Sequence, residues 1–408
     1  MAKERIVVSG LAVLTAQGNN VNQFWEAMLS ARSGIGAISR FDASQYRTRI
    51  AAELKTDLNE LLGYSVSKYS INTQFALACA EELVRDAGIA DGGGLDKQRI
   101  GICLGTGLGG IYYAEEGLTR LLEQGPGRVN PMCVPYVDPN SMINQIASKW
   151  GFLGQQFTVA SACSSAANAM GVALDMIRSG RADAVLTGGV ECTVQPLMLA
   201  GFDRLRAMSP GNDDPQNACR PFAKDRDGFV LGEGAALLFI EKESSARARG
   251  ATVYAELAGF GCTGGGYHAV MPVPDGSDSV RCMQIALADA SATAAEIDLI
   301  NPHGTGTQLN DAAEYKAMLQ VFGDRIREIP IAPTKQLTGH LLGAAGAIEA
   351  AHVVKSLHEG VLTPFKPINC EFDLNINFGG PIRQAPHCAL SSSFGFGNNN
   401  ASLVFRKL

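Results

Sequence analysis

The feature that most limits what this chain can fold into is a repeat in the order of its elements. Apolar β-rich runs alternate with stretches whose apolar residues recur at helical spacing, and the series runs twice. In the first pass a strand is predicted at 5–9, a helix at 66–87, a strand at 99–104 ending in GTGLGG, and a strand–turn–helix at 157–177. Strands at 184–187 and 234–241 complete it. In the second pass a strand at 253–260 is followed by a helix at 279–290 and a strand at 297–301 ending in HGTGT. A strand at 329–332 then leads through KQLTGHLLG into a helix at 344–357, and strands at 388–393 and 402–405 form a hairpin. Alternation of this kind predicts a largely parallel, mixed sheet covered by helices. Two such halves, 1–250 and 251–408, packed helix to helix predict an α/β fold of five layers, α-β-α-β-α. The helices between the sheets would then be apolar on every side. The alanine-rich stretches 166–177 and 344–354 have that character.

The strand–turn–helix at 157–178, FTVASACSSAANAMGVALDMIR, carries the first chemistry. Cys163 lies at the turn, just before the helix. The first N–H groups of a helix have no partner within it and carry partial positive charge, which predicts a favoured thiolate, the reactive form of cysteine. The small neighbours Ser161, Ala162, Ser164 and Ser165 leave room for a substrate. The competing reading is an inert buried cysteine, since cysteine is often buried. Duplication brings equivalent turns to face one another, so the Cys163 turn should meet the turn holding His340. His303, in HGTGT, follows the neighbouring strand. Strand ends are where ligands bind in open α/β sheets. Of the six histidines, His352, His358 and His387 read as surface or satisfied core residues.

Composition narrows the class. At 46% hydrophobic and 18% charged, with 408 residues, the chain suits a soluble protein with a large core. A net charge of −6 gives no global pull toward nucleic acid or an anionic membrane. The ten cysteines include no CxxC spacing, so neither a metal site nor a disulfide framework is expected. The first residues, MAKERIVVSG, lack a signal peptide's apolar core and no apolar run reaches spanning length; the expected setting is a reducing cytoplasm.

Taken together, ASACSSA, RPFAKDRDGFVLGEGAA, NPHGTGTQLND, TKQLTGHLLGAAGAIEA and SFGFGNNNAS resemble the β-ketoacyl–acyl carrier protein synthases over essentially the whole chain. The resemblance is strongest to the type II elongating enzymes and their polyketide relatives. It implies the thiolase fold, a dimer, and decarboxylative condensation of a cysteine-bound acyl group with malonyl–acyl carrier protein. It implies Cys163 as nucleophile, His303 and His340 as donors to the enolate oxygen, and Lys335 as a structural and electrostatic residue paired with Glu349. Phe396 would supply an oxyanion N–H and screen the sulfur. Thr305 and Thr307 would hold the carrier's phosphopantetheine arm, and Arg204 and Arg206 would dock the acidic carrier protein. No metal or dissociable cofactor is implied.

Two departures stand out. Asn398 occupies a position where the family usually has glycine, which puts the mobility of the gating loop in question. The segments 64–69, 134–140 and 308–317 differ from the housekeeping pattern, so chain-length preference does not carry over. Three other readings compete. GTGLGG fits a dinucleotide fingerprint, but no acidic residue closes a following strand at the required distance. A non-catalytic chain-length subunit would lack the nucleophile, which is present here, although such a subunit could still be the dimer mate in place of a second copy. A thiolase would need a second cysteine in the last glycine loop, where this chain has GFGNNN.

Overall fold

The computed structural model describes residues 4–408. Eleven strands form one hydrogen-bonded sheet. They are β1 (Ile6–Thr15), β2 (Ile100–Gly105), β3 (Gln156–Val159), β4 (Ala184–Glu191), β5 (Gly234–Lys242) and β6 (Ala255–Gly264). After them come β7 (Leu299–Asn301), β8 (Pro330–Ile331), β9 (Asn375–Ile376), β10 (Cys388–Gly395) and β11 (Asn399–Arg406). The spatial order is β9-β8-β7-β10-β11-β6-β1-β5-β4-β2-β3. Reading outward from the centre, β1-β5-β4-β2-β3 and β6-β11-β10-β7-β8 are the same series. In each, two antiparallel pairings are followed by two parallel ones. The repeat legible in the sequence is therefore a repeat of sheet topology. The two series are the β layers of the expected α-β-α-β-α fold, continuous along one edge. They join where β1 meets β6 through Val7 opposite Glu256 and Val8 opposite Ala255.

Six helices complete the layers: α1 (Ile71–Asp86), α2 (Ser141–Trp150), α3 (Ser165–Arg178), α4 (Ser277–Asp289), α5 (Gln308–Phe322) and α6 (Ala345–Glu359). α1 lies on β1 and β5 with α2 beside it, and α4 lies on β6 and β11 with α5 beside it. α3 and α6 pack on each other and reach strands of both halves, which makes them the central layer. Their composition explains the position. From Ala345 to Leu357 every residue of α6 is buried. Small residues let these helices come close: a Cβ added at Gly171 would lie 2.4 Å from the ring of Phe260 on β6. No helix of the described residues is long and apolar enough to cross a membrane.

The structure corrects the sequence reading in several places. β1 runs on to Thr15 instead of stopping at Ser9, because an irregularity between Val8 and Gly10 shifts the pairing without ending it. The following helix, Val21–Leu29, is capped by Asn20, whose side chain accepts from the Gln23 N–H. α1 starts after Ser70, five residues later than the spacing suggests. Helices Pro196–Arg204 and α5 have no counterpart in the sequence reading. In α5 the inward face mixes Ala313, Ala317 and Phe322 with buried Asp311 and Glu314, which breaks the apolar stripe that marks a helix.

Candidate active site

The sulfur of Cys163 sits on a strained turn. Ala162 has φ of 54°, a left-handed backbone that is costly for a residue bearing a Cβ and persists only where the surroundings enforce it. Here Ser161 O accepts from Ser164 Oγ at 2.8 Å, Ser165 Oγ donates to Ala162 O at 2.6 Å, and Asn168 Nδ2 donates to Ser161 Oγ at 2.7 Å. The turn delivers Cys163 to the start of α3, and the Phe396 backbone N–H is hydrogen-bonded to its sulfur.

His340 approaches from the other half, with Nε2 3.1 Å from the sulfur. Its backbone is anchored on the segment before β5: His340 N donates to Val230 O at 2.7 Å and Gly232 N donates to His340 O at 2.9 Å. The Phe229 ring meets the imidazole edge-on at 5.4 Å. This gives a structural reason for the DGFVLGEG part of the long motif. His303 completes the group. The sulfur and one ring nitrogen from each histidine lie within 4.8 Å of one another, all three residues buried.

Lys335 decides the state of His303. Its Nζ is 3.3 Å from His303 Nδ1, 2.5 Å from His303 O, and ion-paired with Glu349. An ammonium can only donate, so Nδ1 accepts and the ring proton resides on Nε2. Burial, then the nearby Lys335 charge, hold His303 and His340 well below the ordinary histidine pKa, so both are neutral. By distance, the trio could hold a soft cation. A neutral imidazole bound through Nε2 must carry its proton on Nδ1, however, and Lys335 opposes that.

The expected thiolate is not the resting state. Burial pushes the Cys163 thiol up to about 12, against the opposing pull of Lys335 and the Phe396 N–H. Desolvation of the charged form outweighs the helix terminus. The thiolate fraction should then grow about tenfold per pH unit between about pH 7 and pH 10, whereas an ordinary thiol levels off near 9. Mass spectrometry of iodoacetamide alkylation at Cys163 should show that unbroken rise; a plateau below about pH 9 would contradict it.

Two buried acids absent from the sequence reading build the HGTGT turn. Glu314 accepts from His303 N at 2.6 Å and Gly304 N at 2.8 Å, and Asp311 accepts from Thr305 N at 3.1 Å and Gly306 N at 3.2 Å. Asp311 also accepts from Phe222 N at 2.7 Å, while Arg226 donates to Thr307 O and Gln308 O, each at 3.1 Å. The signal available in the sequence was an Asp and a Glu three residues apart, directly after a glycine turn rich in unpaired N–H groups. GTGLGG is likewise a scaffold: its amides at Gly107 and Leu108 point to the Glu191 carboxylate.

A cavity of about 490 Å³ opens over the sulfur. Thr305, Thr307 and Phe396 line it, the threonine hydroxyls 3.0 Å apart. Arg206 lies on its wall, with φ of 53°, whereas Arg204 is exposed at the end of its helix and is not among the lining residues. Asn398 adopts the left-handed conformation, φ 56°, so the turn forms without glycine. Its side chain accepts from Tyr267 N and His268 N and donates to Met271 O, each at 3.0 Å. That ties the Phe396 loop to the loop at the cavity wall.

Comparison with known proteins agrees with this site. Residues 3–246 match the family model described as beta-ketoacyl synthase, N-terminal domain, and 254–369 match beta-ketoacyl synthase, C-terminal domain. The chain is 38% identical to the 3-oxoacyl-[acyl-carrier-protein] synthase 2 of Synechocystis sp., covering 100% of this chain and 99% of that one. It is 37% identical to the protein of that name from Vibrio cholerae, with both chains fully covered. A beta-ketoacyl synthase from Burkholderia phymatum superposes with a TM-score of 0.90 at 31% identity, over 99% of this chain and 100% of the other. A type II polyketide ketosynthase, solved with its acyl-carrier protein and a hexaketide, superposes at 0.91 with 30% identity over the full length of both. With a cysteine-bearing turn and two neutral imidazoles facing it from the opposite half, and with these matches along its length, the chain belongs to the beta-ketoacyl synthase family.

Proposed function

We propose that this protein is a β-ketoacyl–acyl carrier protein synthase that extends an acyl chain by decarboxylative condensation with malonyl–acyl carrier protein. The observation that carries this is the convergence of one sulfur and two imidazoles, from opposite halves, within 4.8 Å. In the first step the Cys163 sulfur forms a bond to the acyl carbonyl carbon and the carrier's thiol departs with the sulfur's proton. In the second, the malonyl C–C bond to the carboxylate breaks and CO₂ leaves. The electron pair passes to the thioester oxygen, held by the Nε2–H groups of His303 and His340. The enolate carbon then attacks the acyl group on Cys163, the oxyanion formed there is met by the N–H groups of Phe396 and Cys163, and the C–S bond breaks with its electron pair going to the sulfur, which regains a proton from solvent.

Lys335 keeps His303 in its donor tautomer throughout. Thr305 and Thr307, which line the cavity, would hydrogen-bond the carrier's phosphopantetheine arm. Arg206 at the cavity and Arg204 beside it would receive the carrier's acidic surface. On this reading residues 1–250 supply the nucleophile and 251–408 the imidazoles, and no metal or dissociable cofactor takes part.

The partner is the second copy or a sister subunit. One structural neighbour, at TM-score 0.90 and 29% identity, is the ishigamide ketosynthase/chain length factor, so both arrangements are tested together. The purified chain, acylated from a panel of acyl–carrier proteins and given malonyl–carrier protein, should yield CO₂ and a β-ketoacyl product two carbons longer by mass spectrometry. Product from a homodimer on native mass analysis establishes self-sufficiency. Product only on adding a chain-length-factor homologue places the chain in a heterodimer. Turnover of coenzyme A thioesters alone would overturn the reading in favour of a thiolase.

A further inference from the structure

Glu191 ends β4 and is fully buried. No cation pairs with it among the described residues; its partners are the donors of two segments. From the turn after β2 come Gly107 N, 2.5 Å from Oε2, Thr106 Oγ1, 3.2 Å from Oε1, and Leu108 N, 3.4 Å from Oε1. From the segment after His340 comes Gly343 N, 2.9 Å from Oε2. One carboxylate oxygen thus bridges a turn of the cysteine half to a turn of the histidine half.

The two backbones meet with no room for a side chain. A Cβ on Gly343 would lie 2.0 Å from Gly107 N and 2.5 Å from Glu191 Oε2, and one on Gly107 would lie 2.8 Å from that same oxygen. Between His340 and Gly343 the chain is strained, for Leu342 has φ of 42°. Such a backbone relaxes unless something holds it. Val230 and Gly232 hold His340 itself, and on the far side of Leu342 the hold on Gly343 N is Glu191. Leu342 belongs to the same buried apolar cluster as Cys163 and lines the cavity with it.

We infer that Glu191 is a positioning residue for the condensation: a cation-free clamp across the two halves that keeps the strained His340–Gly343 segment, and with it the His340 ring, in register with the Cys163 sulfur. Burial raises the Glu191 carboxyl to about 7 against the pull of these donors, so at pH 8.5 it is an anion held without a counter-charge, and the clamp works only with an acceptor facing both turns. Because the carboxylate also lies close enough to raise the thiol's pKa, its loss acts on the two half-reactions in opposite directions.

Glu191→Met keeps the length and leaves Gly107 N and Gly343 N without an acceptor. At pH 8.5, malonyl–carrier decarboxylation is expected to fall ~10–100-fold, as a misplaced catalytic group does. The KM for malonyl–carrier protein should stay within about twofold, since the arm-binding threonines are untouched. Alkylation of Cys163 should quicken by about threefold or more, because a nearby negative charge is gone. Glu191→Asp keeps the charge but not the reach, so decarboxylation falls while alkylation stays at its original rate; this variant decides the matter if the first does not fold. A parallel fall of both half-reactions with a lowered Tm, or decarboxylation within about twofold of the original, overturns the clamp. The inference rests on the role proposed for His340, so His340→Ala is measured alongside. If that variant decarboxylates normally, the role of His340 is wrong; if it is slow while Glu191→Met is normal, the clamp alone is wrong.

Discussion

Cys163→Ala is expected to leave no detectable acyl transfer and no condensation product, while malonyl decarboxylation persists. The two reactions separate because they use different groups. Alanine cannot form the thioester that carries the acyl chain between steps. Cys388, at the start of β10 opposite Arg406, is not part of the cluster that Cys163 forms with the histidines. The two imidazoles, proposed to stabilise the enolate, do not depend on the sulfur for their placement. His303 is held by Lys335 and by Glu314, and His340 is held through its backbone to Val230 and Gly232. Mass spectrometry of the intact chain after incubation with acyl–carrier protein, paired with CO₂ release from malonyl–carrier protein, reads both halves. Covalent acylation of the variant at any residue, with condensation retained, would remove Cys163 from the role of nucleophile.

His303→Ala should lower malonyl decarboxylation by ~10²–10³, the usual cost of losing one preorganised donor to an oxyanion. Acylation of Cys163 should change far less. The asymmetry follows from the geometry: Lys335 fixes the donor tautomer of His303 from behind, whereas the hydrogen bonds to the sulfur come from His340 and the Phe396 N–H. Removing the imidazole also leaves the Lys335–Glu349 ion pair without one of its neighbours, so the Tm is read in parallel. His303→Gln, which keeps an N–H donor in a buried site, should recover part of the lost rate. Decarboxylation at the original rate in both variants would mean that the enolate charge is stabilised elsewhere.

The candidate chemistry was legible because it rests on residue type at strand ends. Cys163, His303 and His340 each sit in a run of small residues that punctuates a strand, and that pattern survives in one dimension. The acids that hold the site were not legible. Asp311, Glu314 and Glu191 read as ordinary carboxylates, and the first two sit in a helix whose period they disturb. Only in three dimensions do they meet the orphan amides of HGTGT and GTGLGG, whose N–H groups are unsatisfied because the turns have no regular partner. The ionisation of Cys163 escaped for a related reason. A helix terminus can be read from sequence, but the extent of burial cannot, and desolvation is the larger effect.

The chain's linear order by itself determined that there are two equivalent halves, that alanine-rich helices fill the space between them, and which residues could carry chemistry. These follow from local patterning, where spacing and side-chain size dictate which face of an element is buried. The tertiary structure alone decided how the halves join into a single sheet at β1 and β6, which ring nitrogen of His303 bears the proton, and that the thiol is held protonated by burial. Each of those depends on groups well separated along the chain coming within a few ångströms, and neither hydrogen-bond partnership nor desolvation has a local signature.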